Sequence, residues 1–152
     1  MPHQTLEELS TAFAAVFGRG IEEKAPRRLW TEIGAARNQE ALAWLKKTGF
    51  LHLAAITGVD LGDRFELIYH LVKAGSVLSV KCTIPRENPD LPSVTGVMPA
   101  AILYEQELHD ILGIRISGHP DLKPLILPEG WPEGVYPLRK DWVVPDGGVN
   151  SG

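Results

Sequence analysis

Arg64-Phe65-Glu66-Leu67-Ile68-Tyr69-His70-Leu71-Val72, followed after three residues by Ser76-Val77-Leu78-Ser79-Val80-Lys81-Cys82-Thr83-Ile84, is the stretch on which the fold turns. In the first run Phe65, Leu67, Tyr69 and Leu71 alternate with more polar neighbours. In the second, Leu78, Val80, Cys82 and Ile84 alternate with Ser79, Lys81 and Thr83. A period of two puts each apolar set on one face of an extended chain, so both runs read as half-buried strands. Only Lys73-Ala74-Gly75 separates them, short enough for a hairpin loop containing the glycine. The pair is therefore predicted to be antiparallel. Just upstream, residues 50–59 are apolar and nearly continuous, as a buried strand would be.

Working outward, Thr5-Leu6-Glu7-Glu8 has the spacing of a capping box, and Leu6, Leu9, Phe13, Val16 and Phe17 follow at helical intervals up to Gly18. Residues 28–33 read as a short strand. A second helix is predicted over 37–48, with Ala41, Leu42, Trp44 and Leu45 on its core face and Gly49 just past its end. A loop punctuated by Pro85, Pro89 and Pro92 leads to Pro99, well placed to open a third helix. There Ala101, Tyr104, Leu108, Ile111 and Leu112 form an apolar stripe that stops at Gly113. Glu105, Gln106, His109 and Asp110 lie off that stripe and read as a solvated or partner-facing polar band. Hydrophobic periodicity fades from Ile114 to Pro145, yet Trp131, Tyr136 and Trp142 argue against pure disorder. The chain is thus read as one domain with a core over 1–113 and an extended, irregular, partner-docking tail over 114–152.

Composition bounds the function. The chain has 152 residues, 44% hydrophobic and 22% charged, which fits an ordinary globular domain and excludes a disordered or fibrous one. Its formal charge of −4 argues against a nucleic-acid binder. Residues 1–84 carry ten basic and nine acidic side chains; residues 85–152 carry five and ten, along with ten of the twelve prolines. No apolar run approaches the length of a membrane span. Met1-Pro2-His3-Gln4-Thr5 shows no basic region leading into an apolar one, so a cytoplasmic, soluble protein is expected. Cys82 is the only cysteine, which leaves no ligands for a disulfide or a Cys-based cluster within the chain.

No constellation reads as an active site from the residues alone. Glu105 and His109 share a helix face, but a paired-His zinc signature is missing and no third ligand is evident. Cys82 lies mid-strand among inward residues and reads as a small hydrophobe. Glu105 and Glu107 are two apart on a helix and point to different faces. Neither Gly18-Arg19-Gly20 nor Gly147-Gly148 extends to a phosphate-binding loop. Arg139-Lys140-Asp141, flanked by Tyr136 and Trp142, has residue types enriched at interface centres, although an ordinary surface cluster would look the same.

Three segments nonetheless form an ordered combination. They are Glu105-Gln106-Glu107-Leu108-His109-Asp110-Ile111-Leu112-Gly113-Ile114, then Gly118-His119-Pro120-Asp121, then Pro137-Leu138-Arg139-Lys140-Asp141. With Thr57-Gly58-Val59-Asp60 and Pro92-Ser93-Val94-Thr95 upstream, this combination resembles the thirty-kilodalton-subunit family of respiratory NADH dehydrogenase, complex I, over roughly residues 50–142. Gln106 stands where the family usually has Arg, and Met98 and Leu103 stand where tryptophans are common. Trp131-Pro132-Glu133-Gly134-Val135-Tyr136-Pro137 looks more like the homologous subunit of membrane-bound, energy-converting nickel–iron hydrogenases.

The resemblance implies an α+β fold: a small two-layer domain with helices packed on a mixed, partly antiparallel sheet. It implies a non-catalytic, peripheral-arm subunit of a complex I-like electron-transfer assembly, either NADH:quinone oxidoreductase or energy-converting hydrogenase. Such a subunit sits on the inner face of the membrane without spanning it. The implied partners are the large catalytic subunit, of the forty-nine-kilodalton or hydrogenase large-subunit type, and a small iron–sulfur subunit. The chain itself is expected to hold no cofactor, with iron–sulfur clusters and the nickel–iron or quinone site in those partners. Glu105, Glu107, Asp110, Gly113, His119, Pro120, Arg139, Lys140 and Asp141 carry the family motif and are the expected docking residues. A different class of function, a small stand-alone enzyme, would need His109, Asp110 and His119 to converge as acid–base groups.

Overall fold

The computed structural model describes residues 4–122 together with Gly134, Tyr136, Leu138 and Arg139. In chain order the elements are α1 (Leu6–Phe17), β1 (Glu22–Ala25), β2 (Arg28–Glu32), α2 (Asn38–Lys47), β3 (His52–Asp60), β4 (Arg64–Lys73), β5 (Ser76–Pro85), β6 (Asp90–Pro92), α3 (Ala101–Leu112) and β7 (Arg115–Ser117). The decisive hairpin is β4–β5, paired without a break from Arg64↔Pro85 to Lys73↔Ser76. Its loop is one residue tighter than the sequence suggests. Ala74 and Gly75 both take positive φ, 48° and 80°, the pattern of a two-residue turn whose twist matches that of the strands.

The main sheet runs β1-β2-β5-β4-β3. β2 lies parallel to β5, with Arg28 opposite Val77, while the other neighbours are antiparallel, so the sheet is mixed. Phe65, Leu67, Tyr69 and Leu71 of β4 and Leu78, Val80, Cys82 and Ile84 of β5 are all buried. They join one core with Leu9 and Phe13 of α1, Ala41, Leu42 and Leu45 of α2, and Leu108, Ile111 and Leu112 of α3. The result is the two-layer α+β architecture that the sequence implied. The capping box of α1 is present in both directions, Glu8 N–H to Thr5 Oγ1 and Thr5 N–H to Glu8 Oε2.

Three strands are absent from the sequence reading. All four residues of β1 are exposed, so Glu22-Glu23-Lys24-Ala25 carries no alternation to read. β6 and β7 are three residues each and pair in parallel with one another, with Leu91 opposite Ile116. The core therefore continues past Gly113. Ile114 and Ile116 are buried, and the boundary drawn after Gly113 falls inside the ordered domain.

Candidate functional site

α3 organises the motif residues because its two long faces meet different surroundings. One side packs on the sheet through Leu108, Ile111 and Leu112. The other carries Glu105, Gln106 and Asp110, and here the structure corrects the sequence reading of a solvated or partner-facing polar band: all three are buried within the chain itself. The proline-punctuated loop and the segment after β7 fold over this side, and polar groups buried that way need partners. Glu105 finds them. Its Oε1 accepts the Val94 N–H at 2.7 Å and its Oε2 accepts the Ser93 hydroxyl at 2.7 Å. Ser93 Oγ in turn lies 2.8 Å from Thr95 Oγ1.

α2 grips the same loop from its other side. Asn38 donates from Nδ2 to the Pro92 carbonyl at 2.7 Å and to the Tyr69 hydroxyl at 3.0 Å, and Gln39 donates from Nε2 to the Ser93 carbonyl at 2.7 Å. Burial pushes the Glu105 carboxyl above its ordinary value, although the Val94 and Ser93 donors pull it back. Burial likewise holds the Tyr69 phenol well above its usual range.

His119 closes the cluster. Its side chain is fully buried, with Nε2 4.0 Å from Glu105 Oε2. Nδ1 accepts the Asp121 N–H at 2.9 Å, which leaves Nε2 to carry the proton and donate it to the Ile102 carbonyl at 3.0 Å. Gln106 reaches the Asp121 carbonyl through Nε2 at 2.5 Å. His109 instead bonds through Nδ1 to the Ile114 carbonyl at 2.9 Å. The two histidines are thus held by backbone carbonyls at separate places. The acid–base reading of His109, Asp110 and His119 finds no support in this arrangement. Pro120 is exposed at the following turn.

The end of α3 gathers the second part of the motif. Gly113 takes the left-handed conformation, φ 73°, and a Cβ there would run into the Tyr136 ring. Glycine is therefore required twice over at this position. Leu138 N–H donates to the Ile111 carbonyl at 3.2 Å, and Arg139 Nε donates to the Leu112 carbonyl at 2.7 Å. These are carbonyls that a helix end leaves without partners. The Arg139 guanidinium also lies 5.4 Å from the Phe65 ring centroid and 4.5 Å from that of Tyr136. Lys140 and Asp141 fall outside the described residues.

Asp60 and Arg86 are functional-looking residues that the sequence reading did not single out as a pair. Asp60, its side chain 1% exposed, receives Arg86 Nη1 on both oxygens at 2.8 Å and the Gly62 N–H on Oδ1 at 2.8 Å. Twenty-five residues separate the two in sequence, and no local motif links them. Glu107, by contrast, faces outward. With Ala55, Thr57, Gly58, Tyr104 and Leu138 it lines an open groove of about 350 Å³ between β3 and α3. Leu103 and Leu138, 58% and 56% exposed, give this side apolar surface. Among the described residues no three His, Cys, Asp or Glu side chains are grouped as a metal ion would need.

A model of the respiratory-chain NADH dehydrogenase 30 kDa subunit family matches residues 31–147, which takes in α2, the strands β3 to β5, α3 and the whole motif cluster. The chain belongs to that family. It is 37% identical over 139 residues to NADH-quinone oxidoreductase subunit 5 of Thermus thermophilus, covering 82% of this chain and 66% of the relative. The chain thus spans about two thirds of that relative's length. It is 36% identical over 143 residues to a subunit of the F(420)H(2) dehydrogenase of Methanosarcina mazei, covering 90% of this chain and 89% of that one. Among solved structures, a chain of the membrane-bound sulfane sulfur reductase, an archaeal respiratory membrane complex, superposes with a TM-score of 0.82 at 28% identity, covering 90% of this chain and 85% of that chain. A trypsin-resistant fragment of Nqo5 superposes with a TM-score of 0.67 at 34% identity, covering 77% of this chain and 98% of that one. No helix among the described residues is long and apolar enough to cross a membrane.

Proposed function

We propose that this chain is a non-catalytic peripheral subunit of a membrane-bound respiratory oxidoreductase. In this reading it docks on the large catalytic subunit, of the forty-nine-kilodalton or hydrogenase large-subunit type, beside a small iron–sulfur subunit. The observation that carries the reading is how the motif is used. Glu105, Gln106, His109, His119 and Arg139 each bond to backbone of the chain itself. A motif built this way fixes a frame, and a frame suits an assembly part better than a reaction site. The iron–sulfur clusters and the nickel–iron or quinone site then belong to the partners, and the assembly sits on the inner face of the cell membrane.

The proposed docking side is the groove between β3 and α3, where Glu107 and Leu138 are available to a partner, with Leu103 exposed one helical turn before Glu107 and with Lys140 and Asp141 following Leu138 and Arg139 in sequence. Exposed apolar side chains beside a polar rim are what a subunit contact uses. Membership of a hydrogenase-type assembly, which the Trp131–Pro137 stretch suggests, is the finer form of the same proposal. Affinity purification of the tagged chain from its native cells tests it. Recovery of a large oxidoreductase subunit in equal amount is expected. Recovery of the chain alone, with turnover of its own, would overturn the reading.

A further inference from the structure

Six cations gather at one end of the sheet. Lys24, Arg27 and Arg28 surround the β1–β2 turn, Lys46 and Lys47 close α2, and Lys73 precedes the β4–β5 turn. The registers bring these together: Ala25 pairs with Arg28, Arg28 with Val77, Lys73 with Ser76, and His52 with Val72. Lys73 Nζ bridges to the end of α2 by donating to the Thr48 carbonyl at 2.6 Å, and Val77 N–H donates to the Arg27 carbonyl at 2.9 Å. All six except Lys73 are exposed.

None of the six has a carboxylate within ion-pair distance among the described residues. By contrast Arg19, Arg37, Arg64, Lys81, Arg86 and Arg115 each have one within 4.0 Å. The chain carries −4 overall, so an end bearing +6 leaves −10 for the rest. The molecule is strongly polarised. Lys24 lies 5.0 Å from the Trp30 ring centroid and Lys73 5.6 Å from that of Phe50, but like charges gathered with no carboxylate beside them among the described residues repel one another, and an anion meeting them would relieve that repulsion. The described part of the tail does not, because Tyr136 and Arg139 lie against Gly113 and Phe65 at the opposite end.

The backbone adds a second observation. Arg27 sits at the tip of the β1–β2 turn with φ 62°, a left-handed conformation that a non-glycine side chain adopts under strain. An arginine is thereby projected from the tip where glycine would fit more easily. Beside the cations, Leu51 is 68% exposed, more than any other large apolar residue described.

We infer that this end of the sheet is a docking surface for an acidic face of a neighbouring subunit, with carboxylates seated on Arg27 and Arg28 at the β1–β2 side and on Lys47, four residues from Leu51, at the β3 side. The proposal rests on the assembly reading above, and it uses a surface other than the groove. A protein face fits better than a lipid surface. Lys46 and Lys73 are tied to the Val97 and Thr48 carbonyls, so the charges keep fixed spacing, as carboxylates on a folded partner do. Guanidinium groups match carboxylates in two-pronged pairs. Surface helices that bind lipid present a broad apolar face, and among the described residues this end offers one exposed large apolar side chain, Leu51.

The test uses the native assembly, purified at low salt through a tag on this chain and treated with a carbodiimide, which joins an amine only to a carboxylate in contact with it. Links from Lys24, Lys46, Lys47 or Lys73 to Asp or Glu of a co-purified subunit are expected, falling about tenfold at high salt as surface charges are screened. Arg27→Glu with Lys47→Glu should weaken retention of that same subunit about tenfold or more while the melting temperature of the chain holds. Amines that acetylate as readily in the assembly as in the free chain would overturn the surface alone. So would links to Glu129, Glu133, Asp141 or Asp146 of the chain's own tail. Charge-dependent binding to phosphatidylglycerol vesicles without subunit links would assign the surface to lipid instead. A chain recovered with no other subunit would overturn the assembly reading itself.

Discussion

Asp60 and Glu105 are both acids with almost no access to water, and the molecule holds them in opposite ways. Asp60, at the end of β3, meets a guanidinium: Arg86 Nη1 reaches both of its oxygens at 2.8 Å. Glu105, in the first half of α3, meets neutral donors, the Val94 amide and the Ser93 hydroxyl, and beyond them the His119 ring, whose Nε2 is held by the Ile102 carbonyl. The difference decides what each can do. A buried ion pair ties two elements by charge and tolerates no removal of one partner. A carboxyl among neutral donors ties a loop by geometry, and its own protonation becomes adjustable. The first region fastens the β3–β4 turn to the chain after β5. The second fastens the Ser93–Thr95 loop between α2 and α3, beneath the segment that carries His119.

The comparison breaks most visibly at Arg86. Arg86→Ala would leave Asp60 buried without its guanidinium, and the expected loss is about 3–5 kcal/mol in chemical denaturation. Arg86→Lys should recover part of this, because one ammonium can reach one oxygen. A loss under about 1 kcal/mol would mean the pair behaves as a surface salt bridge. Glu105→Ala comes next. It strips the Val94 amide and the Ser93 hydroxyl of their acceptor and opens a cavity in α3, for an expected cost of about 2–3 kcal/mol. Hydrogen exchange should then rise at Val94 and Thr95 ahead of the β4–β5 ladder. Uniform loss of protection would show that this loop and the sheet unfold as one unit.

Arg139 sharpens the comparison between fold and docking. Its described partners are the Leu112 carbonyl and the Phe65 and Tyr136 rings, so Arg139→Ala should lower the stability of the isolated chain by about 1–2 kcal/mol. Equal retention of the large subunit after correction for that loss would confine Arg139 to the frame. Retention lost at unchanged melting temperature would return it to the docking surface.

How much of this was legible follows from what a local pattern can carry. Phe65, Leu67, Tyr69 and Leu71 announce β4 because burial alternates along the strand itself. Thr5 and Glu8 announce α1 because the cap is four residues long. The family motif was legible as a string, from Glu105 to Asp141, but its use was not. The sequence puts Glu105 and His109 on one helix face; the structure brings His119 to 4.0 Å from Glu105 and sends His109 to Ile114. That choice depends on where the chain after β7 returns, which no helical spacing contains. The polar side of α3 was misread for the same reason. Gln106 and Asp110 look solvated until the proline-punctuated loop is laid over them. The pairing of Asp60 with Arg86 and the grip of Asn38 on Pro92 are long-range contacts of the same kind.

The finest test of the contrast replaces one atom of Glu105. In Glu105→Gln the side-chain oxygen can still accept the Val94 N–H, while the new amide nitrogen faces Ser93 Oγ, whose hydroxyl can turn to accept it. The amide would also face the Nε2–H of His119, now two donors 4.0 Å apart, so a loss of about 1 kcal/mol is expected at neutral pH. The informative quantity is how that loss changes with pH. Because burial raises the Glu105 carboxyl above its ordinary 4.5, the folded chain binds this proton more readily than the unfolded chain does. Protonation therefore favours the native state. The stability it adds is fully present below the ordinary value and is lost as pH climbs through the raised one. Glutamine cannot titrate. The advantage of wild type over Glu105→Gln should accordingly be largest at acid pH, shrink upward from about 4.5, and level off once the carboxyl is ionised. Thermal melts of both proteins from roughly pH 4 to 7 give the difference directly, since every other titrating group is common to the two. A wild-type advantage that grows with pH would show that the Val94 and Ser93 donors outweigh burial. Glu105 would then belong with Asp60, as a charge held charged.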